Sequence, residues 1–355
     1  MAIRRNTLIV CITLLAWGVA CLGLLLAQSQ QPQSKDKDES YTLHVDVDLI
    51  NINVAVTTAS GNYLADLKKQ NFKIYEDKVE QQITHFAPVD APFAVALVLD
   101  TSMSTEGKLA RIQDEAIQFV KQLHPDDEVT VISFDDEVHL ETDFTRNRNA
   151  IERAIKRTRT GQATQLYEAV YLALQEQLRP RRERKAMVLF TDGVDTTSPT
   201  SSAKETIEKA KEADALIYPI FFDTRRDMRR MTGSPYPPTG QPNPRFPVPS
   251  RVPVDPRSPR QRDQDDWQIE MEYQRGRAYL QDLAEATGGT LYAAEGLDSL
   301  GGAFSKIAHE LRSLYSLGYV STNQKRDGKF RKLTVKVDLP QAIVKAKKGY
   351  FSQKK

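Results

Sequence analysis

Phe93-Ala-Val-Ala-Leu-Val-Leu-Asp100-Thr-Ser102-Met-Ser104 decides how this chain is read. Phe93 to Leu99 is an unbroken apolar run rich in strand formers and too short for a typical helix. Without polar alternation, it predicts a strand buried on both faces, as in a parallel sheet. The run stops on Asp100, and Ser102 and Ser104 follow at alternate positions. In open α/β sheets, ligands sit beyond the carboxyl ends of the strands. A carboxylate and two hydroxyls placed there form an oxygen-rich cup. Such a cup suits a hard divalent cation, Mg²⁺, Mn²⁺ or Ca²⁺, better than zinc. From this stretch alone a second reading stands beside it: Asp100 caps the following helix and the serines fill a turn.

Outward from this stretch, strand and helix signals alternate. Helical patterns cover 109–123, 146–156, 166–178, 203–214, 267–287 and 297–314. Strand patterns cover 128–134, 138–142, 186–191, 216–222 and 290–292. This order predicts a doubly wound, mostly parallel α/β sheet. Residues 223–264 interrupt it with a run rich in proline and arginine, read as a long flexible insertion with polyproline-like stretches and no recognisable ligand.

The flanks read as β. Tyr41, Leu43, Val45, Val47 and Leu49 alternate with polar residues, and the phase then shifts so that Ile52, Val54 and Val56 continue. Phe72 and Ile74, then Val79, Ile83 and Phe86, flank Glu76-Asp77-Lys78 as in a hairpin. The tail repeats the texture at Leu333, Val335, Val337 and Leu339. About four strands close a sandwich poorly, so segments 41–90 and 321–355 are expected to build one small β-domain around an α/β domain spanning 91–320.

Arg4 and Arg5 precede an apolar stretch, Leu8 to Ala27, and a polar linker, 28–40. This is the order of an export signal, and the run is also long enough to span a bilayer uncleaved. Residues 1–27 are therefore expected to be a signal peptide or N-terminal membrane anchor, with the body exported to the periplasm, the cell surface or beyond. No membrane contact is expected elsewhere. The formal charge of +2 across 355 residues says nothing about nucleic-acid or membrane partners; no nucleic-acid partner is expected. Cys11 and Cys21, the 2 cysteines, both lie in the apolar run, so the body holds neither a disulfide framework nor a cysteine zinc site.

Three segments belong together: Asp100-x-Ser102-x-Ser104, the loop Gly161-Gln-Ala-Thr164-Gln-Leu166, and Thr191-Asp192-Gly193-Val194-Asp195. In this order they resemble a von Willebrand factor type A domain, over roughly 91–320, and match its metal-ion-dependent adhesion site. The flanking Leu67–Phe86 and Tyr315–Phe351 segments resemble exported bacterial proteins with a related domain. The resemblance implies that Ser102 and Ser104 bind a metal directly and that Thr164 joins in a ligand-bound state. It implies that Asp100 and Asp192 act mainly through bound waters, and that an acidic side chain of a partner protein completes the octahedron. Gln162-Ala163 stands where the family commonly has Gly-Gly. Asp195 is read as a solvated turn carboxylate.

Enzymatic chemistry is poorly supplied. A phosphatase with an aspartate nucleophile usually carries a second aspartate where Ser102 stands, and neither a P-loop nor Gly-x-Gly-x-x-Gly occurs. Ser201-Ser-Ala-Lys204 fits Ser-x-x-Lys, but its companion motifs are missing. The expectation is a non-enzymatic, metal-dependent binding module. The alternatives are a metal-independent scaffold of an envelope assembly and, in last place, a metal-assisted hydrolase.

Overall fold

The structure is a computed structural model, and it describes residues 49–89, 91–225, 259–294 and 296–352. The export segment, the strand pattern before Leu49 and most of the proline-rich insertion lie outside the described residues. Among the described residues no helix is long and apolar enough to cross a membrane.

The run that opens the sequence argument is strand β5, Phe93–Asp100, and all of its residues are buried. It sits inside a six-stranded sheet with β6 (Glu128–Phe134), β7 (Val138–Thr145), β8 (Arg184–Thr191), β9 (Ala215–Phe222) and β10 (Tyr292–Ala294). The order is β10-β9-β8-β5-β6-β7, parallel except for the edge strand β7. Successive side chains of β5 serve opposite faces. Val95, Leu97 and Leu99 pack with helices α1 (Leu109–Gln122), α2 (Arg148–Arg157) and α6 (Leu297–Leu311). Ala96 and Val98 pack with α3 (Leu166–Leu172) and α5 (Pro259–Thr287), and Ala210 of α4 (Ala203–Glu212) joins the same face. A strand read from both sides must be apolar throughout, which is why no alternation is visible in it. The expected doubly wound α/β class is what the chain adopts.

Strands from both flanks complete the fold as two four-stranded sheets. One has the order β13-β1-β11-β4 and the other β14-β12-β2-β3. Here β1 is Leu49–Thr57, β2 Phe72–Glu76, β3 Val79–Gln81 and β4 Ile83–Ala87. The C-terminal contributors are β11 (Leu314–Val320), β12 (Phe330–Val337), β13 (Ile343–Ala346) and β14 (Gly349–Phe351). A shared core of Ile52, Val54, Val56, Phe72, Ile74, Tyr315, Leu317, Tyr319 and Leu333 lies between them. Asp77 and Lys78, both at positive φ, form the tight turn between β2 and β3.

Several element boundaries depart from the sequence reading. The last helix stops at Leu311, and Leu314–Val320 is a strand pairing with β1 and β4, not a helix end. An apolar run that follows an amphipathic helix without a proline break carries no change of period, so its pattern does not separate the two. Helix α5 starts at Pro259, inside the stretch read as a loop; a proline is tolerated at a helix start because its missing N–H has no intrahelical partner there. The helical pattern 166–178 turns π-helical over Ala173–Leu178. Strand β7 runs three residues further than the reading, to Thr145, and β10 is displaced to Tyr292–Ala294.

Candidate metal site

The chain leaves β5 toward β6 on one side and later places β8 on the other side of β5. The ends of β5 and β8 therefore form the topological switch point of the sheet, where a crevice opens beyond the strand ends. Asp100 closes β5 and Asp192 follows β8 directly, 0% and 5% exposed respectively.

Asp100 does not cap the next helix. The residue before α1 is Lys108, which makes no side-chain cap bond. Instead, Asp100 Oδ1 accepts from the Ser102 amide at 3.0 Å and from Ser102 Oγ at 2.5 Å. Its Oδ2 accepts from Thr191 Oγ1 at 2.7 Å. Ser102 Oγ and Ser104 Oγ are 3.2 Å apart, and both residues are buried. A short 3₁₀ turn, Met103–Thr105, follows, fastened by Thr105 Oγ1 donating to the Ser102 carbonyl at 2.7 Å.

The second loop is folded onto the turn between β6 and β7. Asp136 Oδ1 accepts from the Gln162 amide at 2.8 Å and also from the Ala163 amide. The Gln165 amide donates to the Asp135 carbonyl at 3.0 Å. A Cβ on Gly161 would lie 2.4 Å from Asp135 Cγ, so any side chain there must displace Asp135 or the loop itself. Asp136 thus holds the backbone of the Gln162-Ala163 pair.

Hydrogen bonds close the three loops into a triangle. The Gly161 amide donates to the Thr101 carbonyl at 3.0 Å, joining the first loop to the second. The Thr164 amide donates to Thr196 Oγ1 at 2.8 Å and the Thr196 amide to the Thr164 carbonyl at 3.0 Å, joining the second to the third. The Thr191–Asp100 bond joins the third to the first. Asp100, Ser102, Ser104, Thr164 and Asp192 thus stand on one tied assembly, each buried.

Sequence reasoning missed the groups that hold this assembly. Asp136, between the strand patterns 128–134 and 138–142, belonged to no motif. Thr224 and Tyr273, which contact Asp192, are 32 and 81 residues away from it in sequence and carried no signal. Asp195 is more than a solvated turn carboxylate: it accepts from Ser198 Oγ at 2.5 Å and from the Tyr167 amide at 3.2 Å, at the start of α3. The serine of the Ser-x-x-Lys match, Ser201, donates from Oγ to Glu168 Oε2 at 2.9 Å, and its neighbour Ser202 caps α4 by accepting from the Glu205 amide.

The electrostatics favour a cation. Burial, and after it the charge of Asp192, push the Asp100 carboxyl up to about 7, while hydrogen bonds from Ser102 and Thr191 pull in the other direction. Among the described residues no three His, Cys, Asp or Glu side chains converge as a metal-binding group. Any ion here must therefore draw on hydroxyls. Neutral oxygens with an outer pair of carboxylates suit a hard cation that keeps some of its waters.

A family model described as von Willebrand factor type A domain matches residues 95–194, from within β5 to just past Asp192. An uncharacterized protein of Synechocystis sp. is 33% identical over 106 residues, 29% of this chain and 25% of that protein. The match thus spans about a quarter of the relative's length. Among solved structures, a von Willebrand factor type A protein from Catenulispora acidiphila aligns with a TM-score of 0.45 at 11% identity, covering 79% of this chain and 62% of that one. Proximal thread matrix protein 1 from the mussel byssus gives 0.44 at 13% identity, covering 67% of this chain and 51% of that chain. A further structure of the mussel protein, with a zinc-occupied MIDAS motif, gives 0.43 at 13% identity, covering 66% and 49%.

Proposed function

With residues 95–194 identified as a von Willebrand factor type A domain, we propose that the chain is a protein-binding module acting through a divalent cation at the β5–β8 edge. Ser102 and Ser104 would hold the ion through their hydroxyls, and Thr164 would join when a partner is bound. Asp100 and Asp192 would act through water. Their four carboxylate oxygens already accept hydrogen bonds from Ser102, Thr191, Val194, Thr224 and Tyr273, which keeps both groups turned toward the protein. Mg²⁺ is the proposed ion, with Mn²⁺ or Ca²⁺ as substitutes, since all the donors are oxygen. When bound, the ion supplies an electrophilic position that a partner's carboxylate can occupy.

The observation that carries this reading is the pairing of Asp100 and Asp192. Two like-charged carboxylates are buried at one sheet edge among hydroxyls, at a cost that a cation would offset. The donor set, carboxylates and hydroxyls bonded to one another, favours binding over catalysis. Location follows from sequence, in that Arg4-Arg5 and Leu8–Ala27 form an export segment and the module would work outside the cytoplasm. Crosslinking and pull-down from the native envelope test the proposal. A partner recovered in Mg²⁺, lost in EDTA and lost with Ser102→Ala supports it. Recovery indifferent to EDTA contradicts it.

A further inference from the structure

Helix α5 reaches the candidate metal site directly. Its Tyr273 is 4% exposed, and the Tyr273 hydroxyl donates to Asp192 Oδ2 at 3.2 Å. Thr224, 1% exposed and just beyond the end of β9, donates from Oγ1 to the same oxygen at 2.6 Å. The Tyr273 and Thr224 hydroxyl oxygens are also in contact with each other, so their two protons are shared over three contacts. Two hydroxyls from separate elements therefore converge on one carboxylate oxygen.

A second contact, independent of these side chains, fixes the same helix to the same loop. Gly193 follows Asp192 at φ +83, and a Cβ on it would lie 2.8 Å from the Gly276 carbonyl carbon. A Cβ on Gly276 would in turn lie 2.5 Å from the Gly193 oxygen. Backbone thus meets backbone one helical turn from Tyr273, with no side chain between them to take up movement. Further along, α5 ends against the far part of β9, where the Ile217 amide donates to Thr287 Oγ1 at 3.0 Å.

We propose that Tyr273 is a positioning residue of the metal site: with Thr224 it holds the Asp192 carboxylate in its outer place and couples helix α5 to occupancy of the site. The inference rests on the metal-site reading. Removing the hydroxyl frees Asp192 to turn, so the waters it orients are held less well. Loss of such an outer partner typically weakens metal affinity by about ten-fold or more. Because the hydroxyl belongs to α5, metal binding should also quiet the backbone of that helix around residues 270–280.

The test is calorimetric titration of the full chain with Mg²⁺ and with Mn²⁺ for wild type, Tyr273→Phe, Thr224→Val and Thr224→Ser. Hydrogen exchange across 270–280 is followed with and without metal, and melting in EDTA reports the fold. Tyr273→Phe and Thr224→Val are expected to weaken both metals about ten-fold and to abolish metal-induced protection of the helix. Thr224→Ser, which keeps the hydroxyl, should behave like wild type. Should Tyr273→Phe fold poorly in EDTA, the Thr224 pair decides the matter. Equal affinity in Thr224→Val and wild type, or helix exchange indifferent to metal, overturns the inference while leaving the metal site standing. A wild-type chain that takes up no metal overturns both.

Discussion

Thr191 Oγ1 donates to Asp100 Oδ2 at 2.7 Å, joining the ends of β8 and β5 across the switch point of the sheet. Both residues are 0% exposed, so this bond has no water to replace it. Thr191→Val keeps the shape and removes the donor. It should cost about 1–3 kcal/mol, the penalty for leaving a buried acceptor unsatisfied. Urea denaturation in EDTA measures this, and an unchanged midpoint would show that Asp100 Oδ2 finds another donor.

The raised Asp100 carboxyl makes a pH prediction with a definite sign. Its ordinary value is 3.8 and in the fold it stands near 7, so between those values the native state holds a proton that the unfolded chain releases. Metal-free stability from this group is therefore greatest below about pH 4 and is lost as pH rises toward 7. Glu168 and Glu183, held below their ordinary values by hydrogen bonds and, for Glu183, by Arg181, act in the opposite sense at lower pH. Comparison with Asp100→Asn separates the two effects. The difference in unfolding free energy between wild type and variant should drift between pH 4.5 and 7 in EDTA, and Mg²⁺ should flatten that drift. A constant difference would contradict the buried-carboxylate account.

Much of the fold was legible in the sequence because the decisive strand is buried on both faces and ends on a residue of the candidate metal site. Phe93–Asp100 has no alternation to misread, and Asp100, Ser102 and Ser104 are adjacent in the chain. That three loops meet at this sheet edge was readable from motif order. What holds the loops was not. Asp136 clamps a loop 26 residues away, and Tyr273 reaches Asp192 over 81 residues. Neither contact leaves a local pattern. Strand β11 was hidden for another reason: Leu314–Val320 follows an amphipathic helix with no proline between them, and only pairing with β1 and β4 marks it as a strand.

Gly161 is a point where that missed clamp can be tested. With Asp135 Cγ only 2.4 Å from the place of a Cβ, Gly161→Ala is expected to push the Thr164 loop away from the β6–β7 turn. Overpacking of this kind typically costs about 1–3 kcal/mol. Metal affinity should fall as well, because Thr164 moves with the loop. Retention of both stability and affinity would mean that the Asp135 turn yields instead.

The woven flanks predict long-range dependence. Strand β13 pairs with β1 over Val54–Thr57, and β12 pairs with β2 over Phe72–Glu76. Truncation after Ser321 removes both partners and opens those edges. Hydrogen exchange should quicken at 54–57 and 72–76. Unchanged exchange there would show that the N-terminal strands stand alone.

The central claim is that a cation binds between Asp100 and Asp192. Calorimetric titration of the full chain with Mg²⁺, repeated on Asp100→Ala, tests it most directly. The segment 91–320 is unsuited to this, because it would carry β11 without its partner β1. The account predicts saturable uptake by wild type, with a thermal transition that rises with free metal, and loss of both in Asp100→Ala. Equal uptake by the two proteins, or none by wild type, would contradict it.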